Sequence, residues 1–301
     1  GRRCAAGAFD LMRTADWRDY ALLDASSGER LERWGEILLI RPDPQIIWQT
    51  PRRDPRWGKA HARYVRSKSG GGHWEPFQKL PPVWEISWQG LTFRIKTMGF
   101  KHTGLFPEQA VNWQFAMEKI AARRKETGKA PKVLNLFGYT GAATLACLKA
   151  GAEVCHVDAS RGMVQWAKEN AQKSGLSDRP VRWLVDDCGK FVKREQRRGH
   201  VYDALIMDPP SYGRGPGGEV WKLEEQLYPL LELCLPILSE RPLFFLLNSY
   251  TTGLSPAVMA YLLETVLKQR WNVSVTAGEI GLPVESSGLS LPCGSTAIAE
   301  F

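Results

Sequence analysis

Residues 132–141 read KVLNLFGYTG, an apolar run that ends in a turn bracketed by two glycines. A helix-like segment follows, and a second apolar run ends in the carboxylate of Asp158. Strand, tight turn, helix, strand and acid in this order are typical of a nucleotide-binding βαβ unit. Gly138 and Gly141 let the backbone turn sharply and approach a ligand, and Asp158 is placed to accept both hydroxyls of a ribose.

The two glycines stand three residues apart, which differs from the G-x-G-x-x-G turn of dinucleotide enzymes. Residues 134–141 instead resemble motif I of the class I S-adenosylmethionine-dependent methyltransferases. An ordinary βαβ turn without a cofactor is the alternative. The resemblance implies an S-adenosylmethionine site with contacts from Asn135, Phe137, Gly138, Thr140, Gly141, Asp158 and Ala159.

Strand-like and helix-like segments alternate regularly after residue 132, which predicts an α/β fold with a doubly wound sheet. Together with the resemblance, this implies a Rossmann-like, seven-stranded methyltransferase sheet that is mostly parallel and has an antiparallel last strand. We predict a smaller β-rich N-terminal domain at residues 1–98 and a methyltransferase domain at residues 99–301. Residues 211–218 and 278–294 are rich in Gly, Ser and Pro, and we expect both to be loops.

Acidic residues follow three of the predicted strands: Asp158, Asp187 and Asp208. Because ligands of open α/β sheets bind beyond the carboxyl ends of the strands, we expect these acids at one rim. Asp187 is positioned to accept from an adenine amino group, with the backbone of Cys188 nearby. Asp186 is the competing choice by one residue.

The sequence Asp208-Pro209-Pro210-Ser211-Tyr212 forms the second motif. Two prolines fix the backbone directly after a buried strand, which leaves the carbonyl of Pro209 aimed into the rim. A carboxylate and a carbonyl can together hold an exocyclic amine, so we predict catalytic roles for Asp208 and Pro209, and a cofactor contact for Asp208 as well. Tyr212 is predicted to stack on the target base. The alternatives are a simple strand-ending turn and a packing role for Tyr212.

Asp-Pro-Pro-x-aromatic and the preceding Thr103–Gln109 segment resemble the bacterial large-subunit rRNA methyltransferases, over about residues 90–301. The resemblance implies that residues 104–109 cover the cofactor as a lid, with cofactor contacts from Thr103, Gly104 and Phe106. The family pattern ends in Asp-Gln-Arg or similar, whereas this chain has Glu-Gln-Ala at residues 108–110. That difference leaves the details of the lid open.

The absence of a thiol after the predicted fifth strand indicates whether a carbon or a nitrogen is methylated. Methylation of a pyrimidine at C5 requires a nucleophile, usually a thiolate, and in this family the thiol follows the fifth strand. Residues 248–252 read NSYTT there and contain no cysteine. The sequence therefore favours methylation at a nitrogen of an RNA base over methylation at C5.

The net charge of +8 is unevenly distributed. Residues 1–130 contain 23 Lys and Arg against 14 Asp and Glu, and 8 of the 12 tryptophans. Such a basic, aromatic-rich region predicts an RNA partner, with rRNA as the first candidate. The best candidate contact is the basic run from Arg52 to Lys68, in which we expect Arg56, Arg63 and Arg66 to share a helical face. A solvated basic segment without a partner is the alternative.

The six cysteines (Cys4, Cys147, Cys155, Cys188, Cys234 and Cys293) form no C-x-x-C pair, which predicts reduced, mostly buried thiols and a cytoplasmic protein. We expect no metal site and no membrane span. Two other functions stay open: a methyltransferase acting on a protein or small metabolite, and a non-catalytic nucleic-acid-binding protein.

Overall fold

The computed structural model describes residues 12–301, which divide into two units. We name residues 14–108 and 281–291 the β unit. We name residues 109–280 and 292–301 the α/β unit, to which Arg13 also belongs. The domain boundary that we predict after residue 98 stays a prediction.

The β unit contains a five-stranded sheet, in the order β1-β2-β3-β4-β5, and a separate two-stranded hairpin. Gln89 and Gly90 connect the hairpin strands with φ angles of 44° and 79°, as a tight hairpin turn requires. The strands are β1 (Tyr20–Ser26), β2 (Glu29–Trp34), β3 (Ile37–Pro42), β4 (Ala62–Arg66), β5 (Gly72–Pro76), β6 (Trp84–Trp88) and β7 (Leu91–Ile95).

A buried ion pair lies within the five-stranded sheet. Glu32 on β2 is fully buried and accepts from Arg41 Nε at 2.5 Å and Arg41 Nη2 at 2.8 Å. The hydroxyl of Tyr20 donates to the same carboxylate at 2.5 Å. Burial alone would raise the pKa of Glu32, but Arg41 and Tyr20 together hold it below its ordinary value. The charge is buried because its partners are buried with it.

The predicted helical face in the basic run is wrong. Arg56 lies in a short 3-10 turn at Pro55–Lys59, whereas Arg63 and Arg66 lie on strand β4. In β4, buried Ala62 and Tyr64 alternate with the partly exposed Arg63 and Val65, which is the two-residue period of a strand, and Arg66 is exposed at its end. Arg63 and Arg66 therefore lie on a strand and Arg56 outside it, so the three residues do not share a helical face.

The α/β unit contains a seven-stranded sheet among the described residues, in the order β10-β9-β8-β11-β14-β16-β15. Its first five strands are parallel to their neighbours, and β16 runs antiparallel to β14. The predicted fold class is confirmed. The sheet strands are β8 (Lys132–Leu136), β9 (Glu153–Asp158), β10 (Val181–Val185), β11 (Ala204–Met207), β14 (Phe244–Ser249), β15 (Ser274–Pro283) and β16 (Ser290–Glu300).

Helices connect the parallel strands. The two central strands β11 and β14 are buried along their entire lengths, as expected for a parallel sheet covered on both faces. Capping side chains begin several helices: Ser160 Oγ accepts from Met163 N, and Asp187 accepts from Lys190 N. The helices are α1 (Ala110–Thr127), α2 (Ala142–Lys149), α3 (Arg161–Lys173), α4 (Cys188–Arg198), α5 (Leu223–Cys234) and α6 (Pro256–Leu267).

Two predicted loops contain strands. Within residues 211–218, Tyr212–Arg214 forms β12, which pairs with β13 (Val220–Lys222) as a small hairpin. Most of the predicted loop at residues 278–294 belongs to β15 and β16. Gly and Ser in these strands reduce their intrinsic strand propensity, so pairing along the edge of a sheet, a long-range contact, decides their conformation.

None of the helices within residues 12–301 has both the length and the apolar character of a membrane span. Across the same residues, no cluster of three or more His, Cys, Asp or Glu side chains is arranged to hold a metal ion. The five described cysteines are free thiols, four of them buried and Cys293 partly exposed. Cys4 lies outside the described residues.

Candidate active site

The glycine-bracketed turn lies at the point where the strand order reverses. β8 stands between β9 on one side and β11 on the other, and the sheet grows outward from it in both directions. All three strands are parallel, so the turn after β8, Asp158 at the end of β9 and Asp208 after β11 lie at the same edge. This reversal is where open α/β sheets form their ligand crevice.

The backbone of the turn is strained at two residues that are not glycine. Phe137 has a φ of 57° and Tyr139 has a φ of 52°, on either side of Gly138. Gly141 follows with a φ of 87°. Left-handed backbone at bulky residues costs about 1–3 kcal/mol each and persists only where the surroundings hold it. The chain therefore adopts an uncommon conformation at the edge where a ligand is expected.

Close packing explains both glycines. A Cβ on Gly138 would lie 2.3 Å from Cε1 of the His156 ring, and one on Gly141 would lie 2.8 Å from Cβ of Ala167. Neither neighbour is the flexible end of a long side chain. The glycines thus allow the turn to sit directly on β9 and on helix α3.

Beneath the turn lies a buried polar chain. The amide of Asn135 donates to Thr144 Oγ1 at 3.0 Å, and Thr144 Oγ1 lies 2.7 Å from Nδ1 of His156. Burial lowers the pKa of His156 to about 3, so the ring is neutral near pH 7. Asn135 is 4% exposed. Its side chain supports the strand below the turn, and its predicted cofactor contact stays a prediction.

Asp158 connects β9 to the turn. Its Oδ2 accepts from the backbone N–H of Tyr139 at 2.9 Å, and its Oδ1 accepts from Ser160 N at 2.8 Å. Burial raises the pKa of the Asp158 carboxyl, while these two N–H donors act in the opposite direction. Each carboxylate oxygen can accept a further hydrogen bond. Ala159, the next residue, is partly exposed.

Asp187 and Cys188 lie beside the same turn. The Cys188 thiol faces the backbone N–H of Phe137 and senses the charges of Asp158 and Asp187, although burial is the main reason that its pKa is raised. Asp187 Oδ1 caps helix α4 through Lys190 N at 2.9 Å. The competing residue, Asp186, forms an ion pair with Arg194. Both acids thus have partners of their own, and the assignment of the adenine contact to Asp187 stays a prediction.

Asp208 has hydrogen-bond donors on both carboxylate oxygens. Asn248 Nδ2 donates to Oδ1 at 3.2 Å, and Gln109 Nε2 lies 3.4 Å from Oδ2. Pro209 is buried, and the carbonyl of Pro210 accepts from Trp221 Nε1 at 2.7 Å. The double-proline segment is thus fixed at its far end by an indole from the β12–β13 hairpin.

Two tyrosines stand near this acid. Tyr212 on β12 is 54% exposed, and the hydroxyl of the preceding Ser211 lies 2.7 Å from that of Thr251. Tyr250, which follows β14, accepts from Gln109 Nε2 at 3.0 Å, the same amide group that faces Asp208. A Cβ on Gly294 would lie 2.8 Å from the Tyr250 ring, so that glycine provides room for it. The sequence predicts a role for Tyr212 but does not single out Tyr250, because the contact of Tyr250 with Gln109 joins residues 141 positions apart.

A family model for S-adenosylmethionine-dependent methyltransferases matches residues 60–237, more than half of the chain. The chain belongs to this methyltransferase family. It is also similar to the crystal structure of an S-adenosylmethionine-dependent methyltransferase from Agrobacterium tumefaciens, at 35% identity and a TM-score of 0.89 over 96% of this chain and 92% of that one. A Streptococcus mutans protein described as a methyltransferase of this type shares the fold, at 17% identity and a TM-score of 0.74 over 95% and 76% of the two chains.

Curated relatives of the methyltransferase include ribosomal RNA large subunit methyltransferases K/L. The protein from Shewanella frigidimarina is 30% identical over 153 residues, which are 49% of this chain and 20% of that protein. The one from Pseudoalteromonas atlantica is 30% identical over 146 residues, or 48% and 19% of the two chains. The matched region therefore spans about a fifth of the length of these relatives.

The residues of the methyltransferase fit S-adenosylmethionine at this edge. The strained turn would let a ligand approach its backbone. Asp158 supplies a partly desolvated carboxylate of the kind that accepts ribose hydroxyls, and the Phe137 ring packs against Trp221 with 5.0 Å between centroids. Thr140 is buried, with its carbonyl accepting from Asn170 Nδ2 at 2.9 Å, so it holds the turn from within.

The predicted lid residues belong to the β unit. Thr103 is buried, Gly104 has a φ of 99°, and the Phe106 ring packs on His102 with 5.1 Å between centroids. Their predicted contact with the cofactor stays a proposal. Gln109, at the start of the α/β unit, contacts Asp208.

Proposed function

We propose that this methyltransferase transfers a methyl group to a nitrogen of an RNA base, with rRNA as the first candidate. The observation that carries the proposal is the arrangement around Asp208. Its two oxygens accept from Asn248 and Gln109, which fixes the carboxylate beside a buried Pro209. A fixed acceptor of this kind can hold the N–H of a target amine and direct its lone pair.

The cofactor residues have a different role from that of Asp208. We assign to Asp158 the ribose hydroxyls, to Asp187 the adenine amino group, and to the turn at Phe137–Gly141 the positioning of the cofactor by backbone contacts. When bound, S-adenosylmethionine supplies an electrophilic methyl group on a sulfonium. The protein then has to orient the target amine, exclude water and accept the proton that the amine loses. We assign the role of proton acceptor to Asp208.

Buried thiols support transfer to nitrogen. Burial raises the pKa of Cys147 to about 12, that of Cys155 to about 11 and that of Cys234 to about 12. Such thiols are poor sources of the thiolate that attack on a pyrimidine ring requires. Two exposed or partly exposed tyrosines, Tyr212 and Tyr250, are the candidates for stacking on the target base.

RNA as substrate is supported by the relatives and by charge. The relatives described above are named as methyltransferases of large-subunit ribosomal RNA, and the match covers about a fifth of their length. The 23 basic residues among the first 130 provide the attraction that phosphates require. An rRNA substrate would be met in the cytoplasm, the compartment that we predict from the cysteines.

Fewer cations of the basic run are available to RNA phosphates than its sequence indicates, because several of them form ion pairs with carboxylates. Arg52 and Arg63 both pair with Glu29, and Arg56 pairs with Asp54 and Glu285. Several cations of the β unit form no ion pair with a carboxylate among the described residues, and we propose these as the RNA contact. They are Arg53, Lys59, Arg66, Lys68 and Lys101.

The test is methyl transfer from labelled S-adenosylmethionine to rRNA of a strain that lacks this gene, followed by mass-spectrometric analysis of the nucleosides. We expect an N-methylated base, and a loss of about 100-fold or more in Asp208→Ala with unchanged cofactor affinity. A label on protein or a metabolite instead of RNA would favour the second function that the sequence leaves open. A methyl group on carbon would contradict the chemistry proposed here.

A further inference from the structure

Five side chains of the α/β unit form a closed ring of hydrogen bonds that includes Asp208. They lie on or beside helix α1 and strands β11, β14 and β16, and they are far apart in the sequence. The bonds run from Asn248 Nδ2 to Asp208 Oδ1 (3.2 Å), from Thr296 Oγ1 to Asn248 Oδ1 (2.7 Å), from Asn112 Nδ2 to Thr296 Oγ1 (3.0 Å) and to Gln109 Oε1 (2.8 Å), and from Gln109 Nε2 to Asp208 Oδ2 (3.4 Å).

Arg13 sets the direction of every bond in the ring. Its Nη2 donates to Asn112 Oδ1 at 3.3 Å, and a guanidinium can only donate. Asn112 must therefore use its NH2 group toward Gln109 and Thr296. The hydroxyl of Thr296 then has its proton left for Asn248 Oδ1.

The two side chains that adjoin Asp208 in the ring, Asn248 and Gln109, consequently each direct an N–H group at its carboxylate. Asn248 has used its carbonyl oxygen on Thr296, and Gln109 has used its own on Asn112, so each can present only its amino group to the acid. The ring assigns both amide orientations without ambiguity, because the reverse orientation of either amide would place two acceptors face to face.

We infer that Arg13, Asn112, Thr296 and Asn248 form a donor relay that positions the Asp208 carboxylate for its substrate. None of these four residues needs to contact the substrate, and the inference rests on the role of Asp208 given under Proposed function. The relay fixes both oxygens as acceptors and thereby sets the orientation of the carboxylate.

The burial of these polar side chains indicates that the ring has a role besides stabilising the fold. Asn112 is 3% exposed, Asn248 1% and Thr296 0%. Well-packed apolar side chains of similar size would fill the same space without the cost of desolvating several amides. Every member of the ring has a hydrogen-bond partner, and the ring includes a partly exposed acid at the sheet edge. Such an arrangement can orient that acid.

The test compares two variants of Thr296 in the full chain. Thr296→Val keeps the shape and removes the hydroxyl, which interrupts the relay. Thr296→Ser keeps the hydroxyl and removes a buried methyl group. We expect Thr296→Val to lower kcat about tenfold or more, with the Kd for S-adenosylmethionine unchanged, and Thr296→Ser to keep kcat close to that of the wild type even though its Tm is lower.

If both variants lose activity in proportion to their loss of Tm, or if Thr296→Val is as active as the wild type, the inference is wrong. A second measurement does not depend on turnover: hydrogen exchange of the Asn248 side-chain amide followed by NMR. Exchange should accelerate in Thr296→Val and stay slow in Thr296→Ser, and equal rates in both would also overturn the relay. A wild type that methylates no RNA would contradict the proposed function while this measurement still decides the relay.

Discussion

The Oδ2 atom of Asp158 accepts a hydrogen bond from the backbone N–H of Tyr139, with 2.9 Å between the two atoms. The acid that ends one strand thereby holds the strained turn that follows the neighbouring strand. Because we propose the same carboxylate as the ribose contact, we expect cofactor binding and turn conformation to be coupled through it. A change at Asp158 should affect both.

Asp158→Asn should weaken S-adenosylmethionine binding about 10- to 100-fold, because the amide loses charge and presents a donor toward backbone donors. Burial raises the pKa of the wild-type carboxyl, and ribose hydroxyls are best accepted by its ionised form. Affinity should therefore be full above the raised pKa and fall as the pH decreases through it. Calorimetry over a pH series measures this effect, and the exposed Asp178→Asn is the control that should follow the wild type. A wild-type affinity that does not change with acidification would contradict the assignment.

Gly138→Ala should destabilise the protein by about 1–3 kcal/mol, because its Cβ would lie 2.3 Å from the ring of His156. The matched control is Gly162→Ala on helix α3, where the nearest atom is 3.8 Å away and alanine has the better helix propensity. Chemical denaturation of both variants gives the comparison. Equal stability of the two would mean that the turn does not rest on His156.

The buried cysteines should resist alkylation at neutral pH, because their pKa values are raised by burial. In a Cys4→Ser, Cys293→Ser background, a maleimide reagent should label the folded protein slowly and leave methyl transfer intact. Labelling should become complete in denaturant. Rapid loss of activity with one equivalent of reagent would reveal a reactive thiol and reopen methylation at carbon.

Lys101→Glu and Arg66→Glu should each weaken RNA binding and reduce its dependence on salt, as removal of a phosphate contact does. Burial and the neighbouring Arg66 lower the pKa of Lys101 to about 8. Its contribution should therefore be present below that pH and decline as the pH rises through it. Fluorescence anisotropy with an rRNA fragment measures both effects. Arg56→Glu makes the same charge change at a paired residue and should weaken RNA binding less; an equal effect would indicate only a loss of net charge.

Local patterns predicted the parts of the protein that depend on neighbouring residues. The glycine-bracketed turn and the strands and helices that alternate after residue 132 follow from short-range periodicity and turn chemistry. The expectation that Asp158, Asp187 and Asp208 lie at one edge follows from the rule that the carboxyl ends of parallel strands meet at the same edge of a sheet. These features needed no information about distant contacts.

The features that the sequence did not reveal depend on residues far apart in the chain. Glu29 neutralises two arginines of the basic run from more than twenty residues away. The ring around Asp208 joins residues 109, 112, 208, 248 and 296, and no motif links them. β15 and β16 form strands through sheet pairing in a region whose composition favours loops.

The β unit is completed by residues from near the far end of the chain. Glu285 N and Ser286 N donate to the carbonyls of Leu22 and Leu23, and Ser286 Oγ donates to Asp24 Oδ1. During translation, strand β1 emerges long before the segment that pairs with it. Residues 285 and 286 must therefore be synthesised before β1 acquires this partner, and a fragment that ends before them would leave this edge of β1 unpaired, where aggregation can start.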